Sequence, residues 1–304
     1  MGAAGSRATA RVLTPLASVL RWAWDEARLS YSFIRNDVWT TVIPATAFVV
    51  AAARHSGVDG AALLTAFGKG ALYFWLFIYG FTLTNQLFGI EEDRVNKPYR
   101  PLVAGQCSHR GARVRAALVL VAFPLVGWWL GVLPWALLWE GSYLLSTVAR
   151  WERHWLWKNL SIGVGVLSQL AAAWQMVAPI GPLAWRWIGT LAVVVLVLIP
   201  LQDLRDIDGD VVNGRTTFPV AFGQPATRYY LAVGFGCLPV ATHLLLFGSG
   251  TPPVAPLVDA ALAVLSWWIA VRVLTRRSPR EDHRTQRRFE QWYTIALASA
   301  ILVL

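Results

Sequence analysis

The sequence predicts an all-α polytopic membrane bundle, about nine transmembrane helices around a central cavity, and three observations predict it. The first is composition: 56% of the 304 residues are hydrophobic and 14% are charged. A soluble domain carries about a quarter charged residues, so lipid replaces water as the main solvent. The mean hydropathy of +0.48 agrees. The second is the length of the apolar runs, which suits a hydrocarbon core needing about 20 residues per helix. The third is charge asymmetry. With the N-terminus in the cytoplasm, 24 of the 27 Lys and Arg fall on the cytoplasmic side. Only Arg54, Lys69 and Arg186 fall opposite, which is the positive-inside pattern.

Taken in order, residues 1–35 read as a cytoplasmic tail and residues 36–304 as one transmembrane catalytic domain, since no linker-like stretch interrupts them. Residues 1–20 lack the apolar core and cleavage site of a signal peptide. Met1-Gly2 followed by Ser6 fits a myristoylation pattern, although Ala/Gly/Arg-rich starts are common. Trp22 to Ile34 suits a helix lying on the membrane surface. The spans are expected near 38–54, 62–90, 113–131, 133–149, 159–178, 184–205, 227–248, 254–274 and 288–304. The turns on the far side are short, as in Gly131-Val132-Leu133-Pro134 and Gly248-Ser249-Gly250-Thr251.

The net charge of +10 is accounted for by this topology and by anionic lipid, with no nucleic acid partner. Cys107 and Cys237 form no disulfide framework, and five scattered histidines make no zinc site. Membrane lipid is the expected surrounding. Nothing in the sequence names a protein partner.

Two polar segments interrupt the apolar pattern. The first is Asn85-Gln86-Leu87-Phe88-Gly89-Ile90-Glu91-Glu92-Asp93-Arg94-Val95-Asn96. On a continuous helix Asn85, Gly89, Glu92, Asp93 and Asn96 share one face, which should point into the bundle. Gly89 would let a ligand or helix approach that stripe closely. The second segment, Asp203-Leu204-Arg205-Asp206-Ile207-Asp208-Gly209-Asp210, puts Asp203, Asp206 and Asp210 on one helical face. Like charges this close raise one another's pKa or demand a cation. Mg²⁺ prefers oxygen ligands and is commonly shared between carboxylates and substrate phosphates.

The candidate metal and catalytic residues are therefore Asn85, Glu92, Asp93, Asp203, Asp206 and Asp210. Lys97, Arg100, Lys158 and Arg205 are candidates for diphosphate oxygens, with Asn159 beside Lys158. Tyr143 and Ser146 lie one helix earlier. Each acidic segment is followed by a basic loop, a Pro and a Gly, Asn96 to Gly105 in one case and Asn213 to Gly223 in the other. Two helices ending alike on one side of the membrane would face each other across one cavity.

At these residues the sequence resembles the UbiA superfamily of intramembrane prenyltransferases, over nearly the whole chain. The resemblance rests on Asp93-Arg94-Val95-Asn96-Lys97-Pro98-Tyr99-Arg100-Pro101-Leu102 and on the Asp203–Asp210 segment. It implies a helical bundle around a lateral cavity, two or more Mg²⁺ ions and a polyisoprenyl diphosphate substrate. The first segment departs from the prenyltransferase pattern, with Gln86 and Gly89 where aspartates are expected and Glu91 and Glu92 beside them. That form is similar to UbiA-type terpene cyclases. It implies ionisation of farnesyl or geranylgeranyl diphosphate followed by intramolecular cyclisation. Prenyl transfer to an aromatic or other lipid-soluble acceptor is the alternative. A transporter or lipid-binding protein is more remote, because transporters tend to carry broken helices and charges at the bilayer midplane. Aromatic faces stabilise cations, and Trp75, Phe74, Tyr143 and Trp174 are candidates for such a cavity wall.

Overall fold

The computed structural model describes residues 4–248 and 252–304, with side chains from residue 17 onward. The Met1-Gly2 start, the side chains of Ser6, Arg7 and Arg11, and the turn at 249–251 lie outside the described residues.

Among the described residues the chain forms thirteen α-helices and no β-strand. They are α1 (Ala4–Ile34), α2 (Val42–His55), α3 (Gly60–Phe88), α4 (Ile90–Asn96), α5 (His109–Trp129), α6 (Leu133–Thr147), α7 (Trp155–Gln175) and α8 (Pro182–Leu198). Beyond these come α9 (Ile207–Val212), α10 (Phe218–Phe222), α11 (Gln224–Leu246), α12 (Ala255–Thr275) and α13 (Pro279–Val303). Local chemistry sets several ends. Ser108 caps α5 by accepting the Gly111 N–H at 3.0 Å. Prolines open α6, α8 and α13, where a missing N–H costs nothing. Gly131, at φ 72°, turns α5 sharply into α6. The two helices then pack so closely that a Cβ on Gly127 would lie 2.7 Å from that of Ala136.

All nine expected apolar segments fall on helices. Five stretches are long and apolar enough to cross a membrane: Gly60–Phe88, His109–Trp129, Pro182–Arg205, Gln224–Leu246 and Ala255–Thr275. The other four segments coincide with α2, α6, α7 and α13. Of these, α2 and α6 are short, at 14 and 15 residues, and α13 opens with a strongly charged stretch.

The helices close into a ring. Going round it, α2 packs on α3, α3 on α5 and α6, α6 on α7, α7 on α8, α8 on α11, α11 on α12, α12 on α13, and α13 returns to α2. A contact between α2 and α7 braces the ring from inside. Small residues make the tight seams. A Cβ on Gly70 would touch Val49, and one on Gly163 would touch Leu196.

The expected surface helix at residues 22–34 is the second half of the longer α1. It rests on α3 through Tyr31 stacked at 6.3 Å on Trp75 and Phe33 edge-on to Tyr79. A fork from Arg115 to Glu26, at 2.5 and 2.6 Å, fixes its middle to α5. Trp22 and Trp24 remain exposed.

Candidate active site

One cavity opens inside the ring, with a charged mouth and an apolar interior. Phe77, Ile78 and Phe81 of α3, Trp139 of α6, Ile162 and Val166 of α7, Val195 of α8 and Phe289 of α13 form its interior wall. Trp139 lies flat on Phe77, with centroids 4.7 Å apart and planes within 5°. Its indole N–H donates to the Phe77 carbonyl at 2.9 Å, which locks the ring. Gly165 leaves room for that indole, since a Cβ there would sit 2.5 Å from it. The aromatic wall therefore differs from the residues expected. Trp75 faces Tyr31, Phe74 packs on Tyr73, and Trp174 packs on Phe48. None of these three lines the cavity, and neither does Tyr143, which is buried against the backbone of Gly80.

The mouth is built where both acidic segments depart from a continuous helix. α3 ends at Phe88, and Gly89 breaks the chain with ψ 18° before α4 begins. A Cβ on Gly89 would meet the Asn85 carbonyl at 2.9 Å, so this glycine permits the break rather than the approach of a ligand. Asn85 on α3 and Glu92 on α4 both line the cavity. Asp93, expected on the same stripe, is 2% exposed and turns away from the cavity. Both its oxygens accept from Arg100 at 2.7 Å. Gln86 is buried outside the cavity wall, and its side-chain oxygen has no hydrogen-bond partner.

The second segment also breaks. α8 tightens into a 3₁₀ turn, Ile199–Arg205, and Asp206 then adopts ψ 8° before α9. The single helical face expected for Asp203, Asp206 and Asp210 does not form, because the helical period changes between them. Asp206 and Asp210 line the cavity, whereas Asp203 lies behind its wall, 1% exposed. Lys158 holds one oxygen of Asp203, and the other is buried without a partner. Asn159, beside Lys158, is also buried outside the wall with its side-chain oxygen unpartnered.

The two segments meet directly. α4 packs on α9, and Gly209 lies so close to the Asn96 amide that a Cβ would collide with it. Arg215, in the loop after α9, pairs with Glu92 of α4. It also lies 3.7 Å from Asp210 and 4.0 Å from Glu152. Thr217 donates to Asp210 at 2.8 Å. A parallel bridge between His154 and Thr216 clips the loop to the start of α7. Arg215 followed the second acidic segment much as Lys97 and Arg100 follow the first, which was the signal for it. Glu152, Asp37, His283 and Arg287 also line the mouth, and no motif announces them.

Electrostatically the mouth is a mosaic of compensated charges. Arg205 pairs with Asp206 at 3.3 Å and contacts the His283 ring. Arg287 pairs with Glu290 at 2.6 Å. Lys97 is different. It lines the cavity, and among the described residues its ammonium has no carboxylate within 4.0 Å and no hydrogen bond. Burial, followed by repulsion from Arg100, holds its pKa below the ordinary lysine value. A dianion arriving beside it would relieve both penalties. Burial pushes the Glu152 carboxyl up to about 7 against the pull of Arg215.

The donor chemistry fits Mg²⁺. Asn85, Glu92, Asp206 and Asp210 present oxygens to the cavity, and Asp203 keeps an unpartnered oxygen just behind it. Among the described residues no three His, Cys, Asp or Glu side chains converge into a ready-made cage. A metal here would be completed by ligands from outside the protein.

Residues 41–295 match the model of the UbiA prenyltransferase family. The chain is 52% identical to the somaliensene A/B synthase of Streptomyces somaliensis, over 94% of this chain and 96% of that protein. It is 32% identical to the diterpene cyclase eriG of Hericium erinaceus, over 91% of this chain and 89% of that one. Among solved structures, a UbiA homolog from Archaeoglobus fulgidus bound to GPP and Mg²⁺ superposes with a TM-score of 0.66 at 13% identity. That match covers 90% of this chain and 99% of that chain.

Proposed function

The chain belongs to the UbiA prenyltransferase family, and from that premise we propose that it ionises a polyisoprenyl diphosphate within the membrane and cyclises the resulting cation to a terpene. The observation that carries cyclisation is the 52% identity, over nearly the full length of both chains, to a protein named as a terpene synthase. A second relative named as a diterpene cyclase supports the same reading and favours a geranylgeranyl chain, with farnesyl the shorter candidate. The mouth and active-site loops are cytoplasmic in this reading, because Lys and Arg concentrate there.

The diphosphate is held at the mouth. Lys97 supplies an uncommitted ammonium, and Arg100, Lys158, Arg205 and Arg215 contribute positive field. Asn85, Glu92, Asp206, Asp210 and the free oxygen of Asp203 would hold the Mg²⁺ ions. Bound there, Mg²⁺ would neutralise charge developing on the leaving diphosphate. Asp93 acts through Arg100, which it orients.

The isoprenoid tail lies against Phe77, Phe81, Trp139 and Val166, gaining about 0.8 kcal/mol per buried CH₂. Locked aromatic faces stabilise a passing cation. The apolar wall keeps water from capturing it.

Intermolecular transfer predicts a different dependence on acceptor. The purified protein, in detergent with Mg²⁺ and farnesyl or geranylgeranyl diphosphate, is expected to release inorganic diphosphate at a rate unchanged by a phenolic acceptor. Release that begins only when the acceptor is added would establish transfer instead.

A further inference from the structure

The charged mouth has two poles. Lys158 and Arg215 act on Asp210, within the motif segments. A different set, Arg100, Lys97, Arg287 and Arg205, surrounds Asp37. Asp37 belongs to neither acidic motif. It lies on the segment joining α1 to α2 and lines the cavity.

Its chemical state is unlike that of the other cavity carboxylates. Glu92 and Glu152 answer Arg215, and Asp206 answers Arg205. Asp210 accepts from Thr217, and Glu290 accepts from both Arg287 and Gln286. Among the described residues, Asp37 is the one cavity-lining carboxylate with no hydrogen bond and no cation within 4.0 Å.

Its placement is nevertheless firm. The Asp37 N–H donates to Ile34 at 2.8 Å, and its carbonyl accepts from Thr41 at 2.9 Å. Arg287 ties the neighbouring Asn36 carbonyl to α13 at 3.2 Å. Four residues on, the Thr41 carbonyl accepts from Gln169, deep on α7. The same short segment thus reaches from the cationic mouth into the interior, with Asp37 at the boundary.

A cyclisation cascade that ends in an olefin must lose a proton from carbon, and a free carboxylate facing the cavity is suited to take it. We propose that Asp37 is the proton acceptor that ends the cyclisation. The inference rests on the cyclase reading given above. In the step, a C–H bond adjacent to the cationic carbon breaks and its electron pair becomes the second bond of an alkene. The proton passes to a carboxylate oxygen of Asp37. The neutral acid then returns the proton to water at the mouth as product leaves. Burial holds the Asp37 carboxyl above the ordinary aspartate range, only partly offset by the four cations, which makes its anion a better base.

The test is Asp37→Asn in the full-length protein, with diphosphate release and product profile measured separately. Diphosphate release should persist and fall far less than the main product does, showing a folded enzyme that still ionises substrate. The main cyclic olefin should fall by about tenfold or more, replaced by alcohols from water capture or by olefins formed through other proton losses. Asp37→Glu, which keeps a carboxylate, should keep the main product. An unchanged profile in Asp37→Asn would overturn the proposal, and tighter substrate binding with that unchanged profile would assign Asp37 to charge balance. Loss of release in step with product, in folded protein, would also overturn it by placing Asp37 in the ionisation step. Should Asp37→Asn not fold, Asp37→Ser carries the same outcomes. A wild-type enzyme that releases diphosphate only with an acceptor would instead defeat the cyclase reading, and that is read before any variant is made.

Discussion

Asp93 and Asp206 carry the same side chain in comparable acidic segments, yet their surroundings make them opposite cases. Asp93 is sealed behind the wall with both oxygens on Arg100, while Asp206 looks into the cavity. Breaking a buried pair from one side costs about 3–5 kcal/mol because a charge is left uncompensated. Asp93→Asn should therefore lower the thermal unfolding midpoint in detergent markedly. Asp206→Asn should leave that midpoint nearly unchanged and reduce turnover by about 10²-fold or more. The reverse pattern would exchange their roles. Glu152 offers a pH test. Its pKa is raised from 4.5 to about 7 by burial, so between those values the unfolded chain has released a proton that the native one retains. Stability should fall as pH rises through that window and level off above it. Glu152→Gln should remove that component of the slope in unfolding scans. Composition and spacing revealed the motif acids, but not which of them would be claimed by a cation. That depends on long-range contacts such as Lys158 with Asp203, which are 45 residues apart.

The elements explain why a helical-wheel reading placed these residues only in part. Projecting Asn85 through Asn96, or Asp203 through Asp210, onto one helix assumes an unbroken 3.6-residue period. The breaks at Gly89 and Asp206 rotate the downstream acids. The helices themselves were legible because their apolar runs are long, and the pairing of the two segments was legible in their similar followers. The contact that makes the pairing is between Gly209 and Asn96. Gly209→Ala should displace the Asn96 amide, loosen α4 against α9 and lower activity, because the new methyl would overlap that amide. Adding Asn96→Ala removes the obstacle and should restore part of the rate. If the double variant is no better than the single one, the close contact is not what positions the mouth.

At the scale of the molecule, a ring of helices encloses one cavity with its charged groups gathered at one end. The family and the five long apolar helices establish a membrane protein. The charge asymmetry further predicts that a tag at the N-terminus will be protease-sensitive in inverted bacterial membrane vesicles and protected in intact spheroplasts. Sequence pattern reached this far because lipid imposes long apolar runs and one-sided charge. It did not reach the cavity wall, since every buried aromatic looks alike until packing decides which ones face inward. Trp139 and Phe77 lie on that wall, whereas Trp75 does not.

The central claim, that ionisation is followed by ring closure within one chain, is tested most directly by the product formed without any acceptor. Purified enzyme would be incubated with Mg²⁺ and geranylgeranyl or farnesyl diphosphate, and the extract analysed by mass spectrometry before and after catalytic hydrogenation. The account predicts a hydrocarbon or alcohol that takes up fewer equivalents of hydrogen than a linear isoprenoid of the same molecular formula, each missing double bond having become a ring. A linear alcohol or alkene as the sole product, or intact substrate, would contradict it.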